Sequence, residues 1–123
     1  MTTATQISAT EPAGDRRRAA RFRPTFGTLC RFRRCGESGE ERVGLVWNIS
    51  ESGMSMLMAD PPERGMELDA ELMTESGEAR LQIKLLVVHI REMPHGDYFM
   101  GAQVDRPLGI EELEQFLELP AIR

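Results

Sequence analysis

Residues 42–58, RVGLVWNISESGMSMLM, hold the information that decides the fold. The first part, RVGLVWNI (42–49), is apolar enough to read as a buried strand. Ser50-Glu51-Ser52-Gly53 is a turn sequence. MSMLM (54–58) then places Met54, Met56 and Met58 on one face at period two, as a second strand requires. Methionines in that pattern also suit a promiscuous binding surface or copper ligation, but a Met-lined barrel interior is the reading adopted.

Working outward, the same grammar repeats. FGTLCRFR (26–33) puts Phe26, Thr28, Cys30 and Phe32 on one parity and is followed by the turn 36–39. Asp60-Pro61-Pro62 ends the hairpin, since proline has no N–H to give a ladder. MELDAEL (66–72) alternates Met66, Leu68, Ala70 and Leu72 against three acids. Beyond the turn 75–78, ARLQIKLLVVHIR (79–91) is long enough to expect a bend or bulge near its middle. A turn at 94–97 leads into YFMGAQV (98–104). Helical spacing occurs at the end, where Leu113, Phe116 and Leu117 oppose Glu111, Glu112, Glu114 and Glu118, predicting a helix over 108–119 stopped by Pro120. Short strands at regular intervals with one late helix predict a mainly β protein, a six- or seven-stranded antiparallel β-barrel or a sandwich. No internal repeat is present.

The chain has 123 residues, of which 41% are hydrophobic, enough for one domain with a real core. No apolar run approaches the ~20 residues of a membrane span, so no membrane insertion is expected. The start, MTTATQISATEPAG, lacks the basic and apolar blocks of a secretory signal, and the expected compartment is cytoplasmic. Cys30 and Cys35 are read as strand residues, His89 as flanking the core and His95 as lying in an exposed turn. Their spacing fits no zinc pattern, so neither a metal nor a cofactor is expected.

Net charge is −5, but its distribution is uneven: residues 1–34 balance at +6 and residues 35–123 at −11. Fourteen of the fifteen basic residues are arginine, whose planar fork grips phosphates and guanine edges where lysine offers a point charge. Residues 1–14 read as a disordered tail and 15–24, DRRRAARFRP, as a flexible arginine-rich loop. The arm suits either a solvated extension or a local anion site.

Two patterns stand out together: Arg17-x-x-x-Arg21 in the arm, and Asn48-x-Ser50-x-x-Gly53 at the first hairpin. Each alone is common; Asn, Ser and Gly are ordinary turn residues. In this order and separation, before a six-strand pattern and a terminal helix, they resemble the PilZ domain family, bacterial receptors for cyclic di-GMP. The resemblance covers about residues 15–119 and includes Arg16, Met54 and the glycine-bearing late strand 99–104. It implies a PilZ-like barrel over 25–123 and a cyclic di-GMP site made of Arg16, Arg17, Arg21, Asn48, Ser50 and Gly53.

The ligand's chemistry fits those residue types. Two phosphates and two guanines call for charge, stacking and edge readout, all of which arginine supplies. Asn48 and Ser50 would add polar contacts to a guanine, and Gly53 close backbone approach with a left-handed turn. The loop 15–24 is expected to order around the ligand. An arginine before the first motif, here Arg16, implies an intercalated ligand dimer. Output would pass through another protein or through oligomerisation. The competing readings are a PilZ-like adaptor blind to the ligand and a small nucleic-acid-binding barrel. Against the latter, strands 43–104 carry just Trp47, Tyr98 and Phe99 as aromatics and an excess of acids, so no DNA or RNA partner is expected. No acid/base set supports an enzyme, and no catalytic residue is assigned.

Overall fold

The computed structural model describes residues 20–36 and 40–117. It contains strands β1 (Arg21–Phe22), β2 (Leu29–Arg34), β3 (Arg42–Ser50), β4 (Gly53–Met58), β5 (Glu67–Met73), β6 (Arg80–Glu92) and β7 (Tyr98–Val104), then the short helix α1 (Ile110–Glu114). Six strands run in the order β3-β2-β5-β6-β7-β4, and β4 pairs back onto β3 to close an antiparallel barrel. Closure removes the exposed edges that an open sheet would leave. The seventh strand, β1, lies on β3 beyond the end of β2, with Arg21 opposite Ser50 and Phe22 opposite Ile49. The expected tail 1–14 and residues 15–19 of the expected loop lie outside the described residues.

Alternation fills the interior as the sequence predicts. Leu68, Ala70 and Leu72 of β5 and Ile83, Leu85 and Val87 of β6 are buried. Met54, Met56 and Met58 of β4 join Met100 of β7 inside, so the interior is Met-lined. Flexible thioethers suit the irregular space of a small barrel. Gly44 serves this packing, because a Cβ there would lie 2.6 Å from Met56 Sδ. Cys30 is fully buried and burial pushes its thiol up to about 12, which makes it an inert core residue.

Several local expectations are corrected. β2 begins at Leu29, and Phe26 sits in a turn, 86% exposed, instead of facing the core. That turn is closed by the Thr28 hydroxyl and amide, both donating to the Thr25 carbonyl. β3 is not buried on both faces: Val43, Leu45 and Trp47 point outward. Leu29, Leu45, Leu57 and Phe99 pair directly across β2, β3, β4 and β7, forming an apolar row on the outer wall. His89 is exposed rather than core-flanking, because β6 carries the expected irregularity between Val87 and His89.

The helix is shorter than its periodicity suggests. Leu113 and Phe116 are buried as expected, but the chain turns after Glu114. There the Thr25 N–H reaches the Phe116 carbonyl at 2.7 Å and Pro24 bridges Leu117, so sheet-like contacts replace further helical turns. Glu118 and Leu119 lie outside the described residues. At its start, Glu112 accepts from the Gly109 N–H at 2.9 Å and from both guanidinium nitrogens of Arg106 at 2.7 and 2.8 Å. Glu111 and Glu112 sit in the first turn, where negative charge suits the helix dipole.

Candidate functional site

The hairpin β3–β4 is built by Ser50. Its Oγ accepts from the Ser52 and Gly53 N–H groups at 3.3 and 3.2 Å, and its hydroxyl reaches the Gly53 carbonyl at 3.3 Å. The side chain is 3% exposed, so serine here folds the loop with its own hydroxyl turned into the backbone. Two further bonds pin the loop from outside: Val104 donates to the Ser52 carbonyl and Leu108 to the Glu51 carbonyl. The hairpin tip is therefore held by the end of β7 and by the segment entering α1.

Gly53 is required for close approach rather than for a left-handed turn. It is absent from the glycines with positive φ, and a Cβ at Gly53 would strike the Ala102 carbonyl oxygen of β7. The expectation of a left-handed Gly53 is thus corrected, and its cause is the tight β4–β7 ladder.

Asn48 owes its position to a β-bulge. Val46 pairs with Met56 and Asn48 with Ser55, so β3 carries one residue more than β4 across this step. Regular alternation would send residue 48 inward with Gly44 and Val46. The extra residue instead turns Asn48 out, half-buried, beside exposed Trp47.

The arm meets the hairpin here. β1 continues along β3 where β2 has ended, which brings Arg21 over the motif. Arg21 Nη1 donates to Asn48 Oδ1 at 2.8 Å, joining residues 27 apart in sequence. Arg23, two residues on and hence on the same side of the strand, lies 5.7 Å from the Trp47 ring centroid. Consecutive β3 residues thus each carry an arginine from the arm. Arg21 uses one of its five N–H donors on Asn48, and the Asn48 amide N–H2 faces no acceptor in that pairing.

Of the residues singled out from sequence, Arg21, Asn48, Ser50 and Gly53 come together at one end of the barrel. Arg16 and Arg17 lie outside the described residues. Arg23 and Trp47 are additions; the signal for Arg23 was its two-residue spacing from Arg21, and for Trp47 its adjacency to Asn48. A cleft of about 380 Å³ at one mouth of the barrel is lined by Phe32, Arg42, Pro61 and Met66, among others, and contains none of the motif residues.

Among the described residues no group of three or more His, Cys, Asp or Glu is placed to hold a metal ion. Cys35 donates to Asp69 Oδ1 at 3.3 Å, and burial together with that carboxylate raises its pKa, keeping the thiol protonated. Among the described residues no helix is long and apolar enough to cross a membrane.

No family model and no curated protein matches the sequence. Solved structures do match. The K. pneumonia MrkH–c-di-GMP complex aligns with a TM-score of 0.63 at 23% identity, covering 82% of this chain and 50% of that one. The Bacillus subtilis inhibitor of motility MotI/DgrA gives 0.59 at 22%, over 82% of this chain and 49% of that one. The PilZ domain of Escherichia coli YcgR with c-di-GMP gives 0.62 at 16%, over 82% and 86%. The chain spans about half the length of the first two and most of the third. It has the PilZ-like fold, a closed six-stranded antiparallel barrel with one added strand and a short C-terminal helix.

Proposed function

We propose that this chain is a receptor for cyclic di-GMP, a non-enzymatic cytoplasmic module that closes its arginine arm over the ligand and passes the signal to a protein partner. The observation that carries the reading is the 2.8 Å bond from Arg21, the last residue of the arm motif, to Asn48, the first of the hairpin motif. Solved structures of the same fold with c-di-GMP support it.

In this reading Arg21 and Arg17 supply forks for phosphate oxygens or for guanine O6 and N7. Asn48 reads a guanine edge, Ser50 shapes the loop, and Gly53 keeps β4 tight against β7. Arg23 on Trp47 adds a second cation above the wall. The loop 15–24 closes around the ligand from its Arg21–Phe22 pairing with β3. Arg16 favours an intercalated pair of ligands. Ordering the arm costs free energy, which sets a micromolar or sub-micromolar rather than picomolar affinity.

Titration calorimetry with cyclic di-GMP tests this on the intact chain. Saturable binding is expected, with Arg21→Ala and Asn48→Ala each weakened about 10- to 100-fold, the worth of a lost charge-assisted or bidentate contact. The heat-derived stoichiometry tests the role of Arg16. Absence of binding by the folded wild type would remove the receptor reading and leave a ligand-blind adaptor. Salt-steep binding to oligonucleotides would replace it with nucleic-acid recognition.

A further inference from the structure

The two sides of the barrel present unlike surfaces. On β2, β5 and β6 the outward positions are charged and paired. Arg31 and Arg33 share Glu41 at 2.8 and 2.7 Å, Lys84 holds Asp69 at 2.8 Å, and Arg80 lies 3.6 Å from Glu71. Such a surface is satisfied by its own ion pairs and by water. Across β3 and β4 the outward positions are apolar instead. Val43, Leu45 and Trp47 are 49%, 39% and 48% exposed, and Leu45 lies in register with Leu57 of β4. The Leu29, Leu45, Leu57, Phe99 row crosses the middle of this patch. Single exposed apolar residues are ordinary, whereas a contiguous patch marks an interaction surface. Because the barrel is closed, a partner there meets side chains and not a free strand edge.

The charges bordering the patch are sorted by sign. Toward the hairpin tip stand Arg21 and Arg23, the second of them 5.7 Å from the Trp47 ring centroid. At the opposite end stand Asp60, beyond β4, and Asp97, before β7, both exposed. Arg42 lies 3.6 Å from Asp60 and His95 3.7 Å from Asp97, so each acid has a neighbour at the long end of ion-pair range. Trp47 is one outward position from Leu45 on the basic side, and Val43 is one outward position from it on the acidic side. A surface that is basic at one end, apolar in the middle and acidic at the other is complementary to itself turned end for end.

We propose that this wall is a self-association surface on which a second copy of the chain docks, about a twofold axis running along the row. That rotation sets Leu45 and Leu57 against their own counterparts and Trp47 against the second copy's Val43. It also brings the Arg23 end of each copy to the Asp60 end of the other, so both rim contacts join opposite charges. The barrel curves away on either side of β3 and β4, which keeps the contact small and the dimer weak. The proposal is independent of the dinucleotide reading, since every group in it belongs to the ligand-free chain.

Sedimentation equilibrium of the ligand-free chain tests it, from about 10 μM to about 1 mM, where a small interface dissociates. A monomer–dimer equilibrium is expected, with a melting temperature that rises with protein concentration. Leu45→Lys should weaken the dimer at least about 10-fold, because the twofold brings the two altered positions together and the change enters twice. Arg23→Glu and Asp60→Arg should each weaken it as well. An equimolar mixture of these two variants should regain a dimer near wild-type strength, because one rim contact in the mixed pair is natural and the other is reversed. A merely structural role for either residue gives no such rescue. A chain that stays monomeric across the range would overturn the proposal and leave the wall to a different protein. So would a dimer that Leu45→Lys leaves intact, or one that mixing the two charge variants fails to restore.

Discussion

The two long strands β3 and β6 each consist of two unlike halves. Before its bulge, each alternates strictly: Gly44 and Val46 point into the barrel in β3, and Ile83, Leu85 and Val87 do so in β6. Beyond the bulge, each sets a polar side chain on the outer wall, Asn48 in one and His89 in the other. The regular halves bury apolar area and hold the barrel closed. The altered halves still bury Ile49 and pack Ile90 against the core, but they set hydrogen-bonding groups on the outside. One extra residue in a strand is thus enough to turn a polar side chain from the interior parity to the outer wall, without lengthening a loop.

The largest expected effect lies in a regular half. Leu85 is 2% exposed and pairs across to Leu68 and Val104. Truncating it, Leu85→Ala, should cost about 2–5 kcal/mol of stability through lost burial and the cavity left behind. Chemical denaturation measures this directly. Affinity per folded molecule should remain that of the wild type. A Leu85→Ala chain that melts normally yet binds poorly would break the division between the halves.

Gly53→Ala is intermediate, since Gly53 begins β4 where packing and site meet. The new methyl would collide with the Ala102 carbonyl, which is backbone and cannot swing aside. Overpacking of this kind costs about 1–3 kcal/mol. The β4–β7 ladder must part to admit the methyl, so denaturation and ligand titration should both show losses. Equal stability with lost binding would instead place Gly53 in direct contact with ligand.

Trp47→Ala should do less. The ring is 48% exposed, and an exposed cation–π contact such as that with Arg23 is worth about 0.5–1 kcal/mol. Melting should hardly move, while affinity should fall a few-fold as Arg23 loses its rest above the wall. A large drop in stability would show that Trp47 belongs with the packing half after all.

These contrasts also explain what was legible in the sequence. Period-two burial located the strands around Cys30, Met56 and Leu68, because a closed small barrel leaves inward residues no alternative. The Met54, Met56, Met58 face and the acid-flanked face of β5 are of this kind. Parity failed where one residue breaks it. Phe26 shares the parity of Cys30 but precedes the strand, and His89 shares that of Val87 but follows a bulge. Gly27, at φ 86°, marks the turn that holds Phe26, whereas no residue type announces the bulge before His89. The helix was overestimated because Phe116 and Leu117 keep helical spacing while docking through turn and bridge contacts to Thr25 and Pro24, more than ninety positions away. The motif residues were legible, yet the work of Ser50 was not: its type suits a ligand contact and a turn equally, and the hairpin claims its hydroxyl.

The smallest effect concerns the clamp on the hairpin tip. Leu108 donates to the Glu51 carbonyl, and the segment beyond it is fixed by Glu112 through Arg106 and the Gly109 N–H. The Arg106 hydrogen bonds, then that of Gly109, lower the Glu112 pKa from 4.5 to about 2. A carboxylate lowered on folding contributes stability that is fully present above its unfolded value, and that contribution is lost as pH falls through the folded one. For Glu112 the window is therefore about pH 4.5 down to 2. The wild type should melt slightly above Glu112→Gln at neutral pH, with the difference closing across that window and shrinking in high salt, because the pair lies at the surface. If the clamp also sets the hairpin for ligand, Glu112→Gln should bind somewhat less tightly at neutral pH than its melting temperature alone would predict. Identical affinity would confine Glu112 to the helix start and leave the bond from Val104 at the end of β7 as the outside support of the hairpin tip.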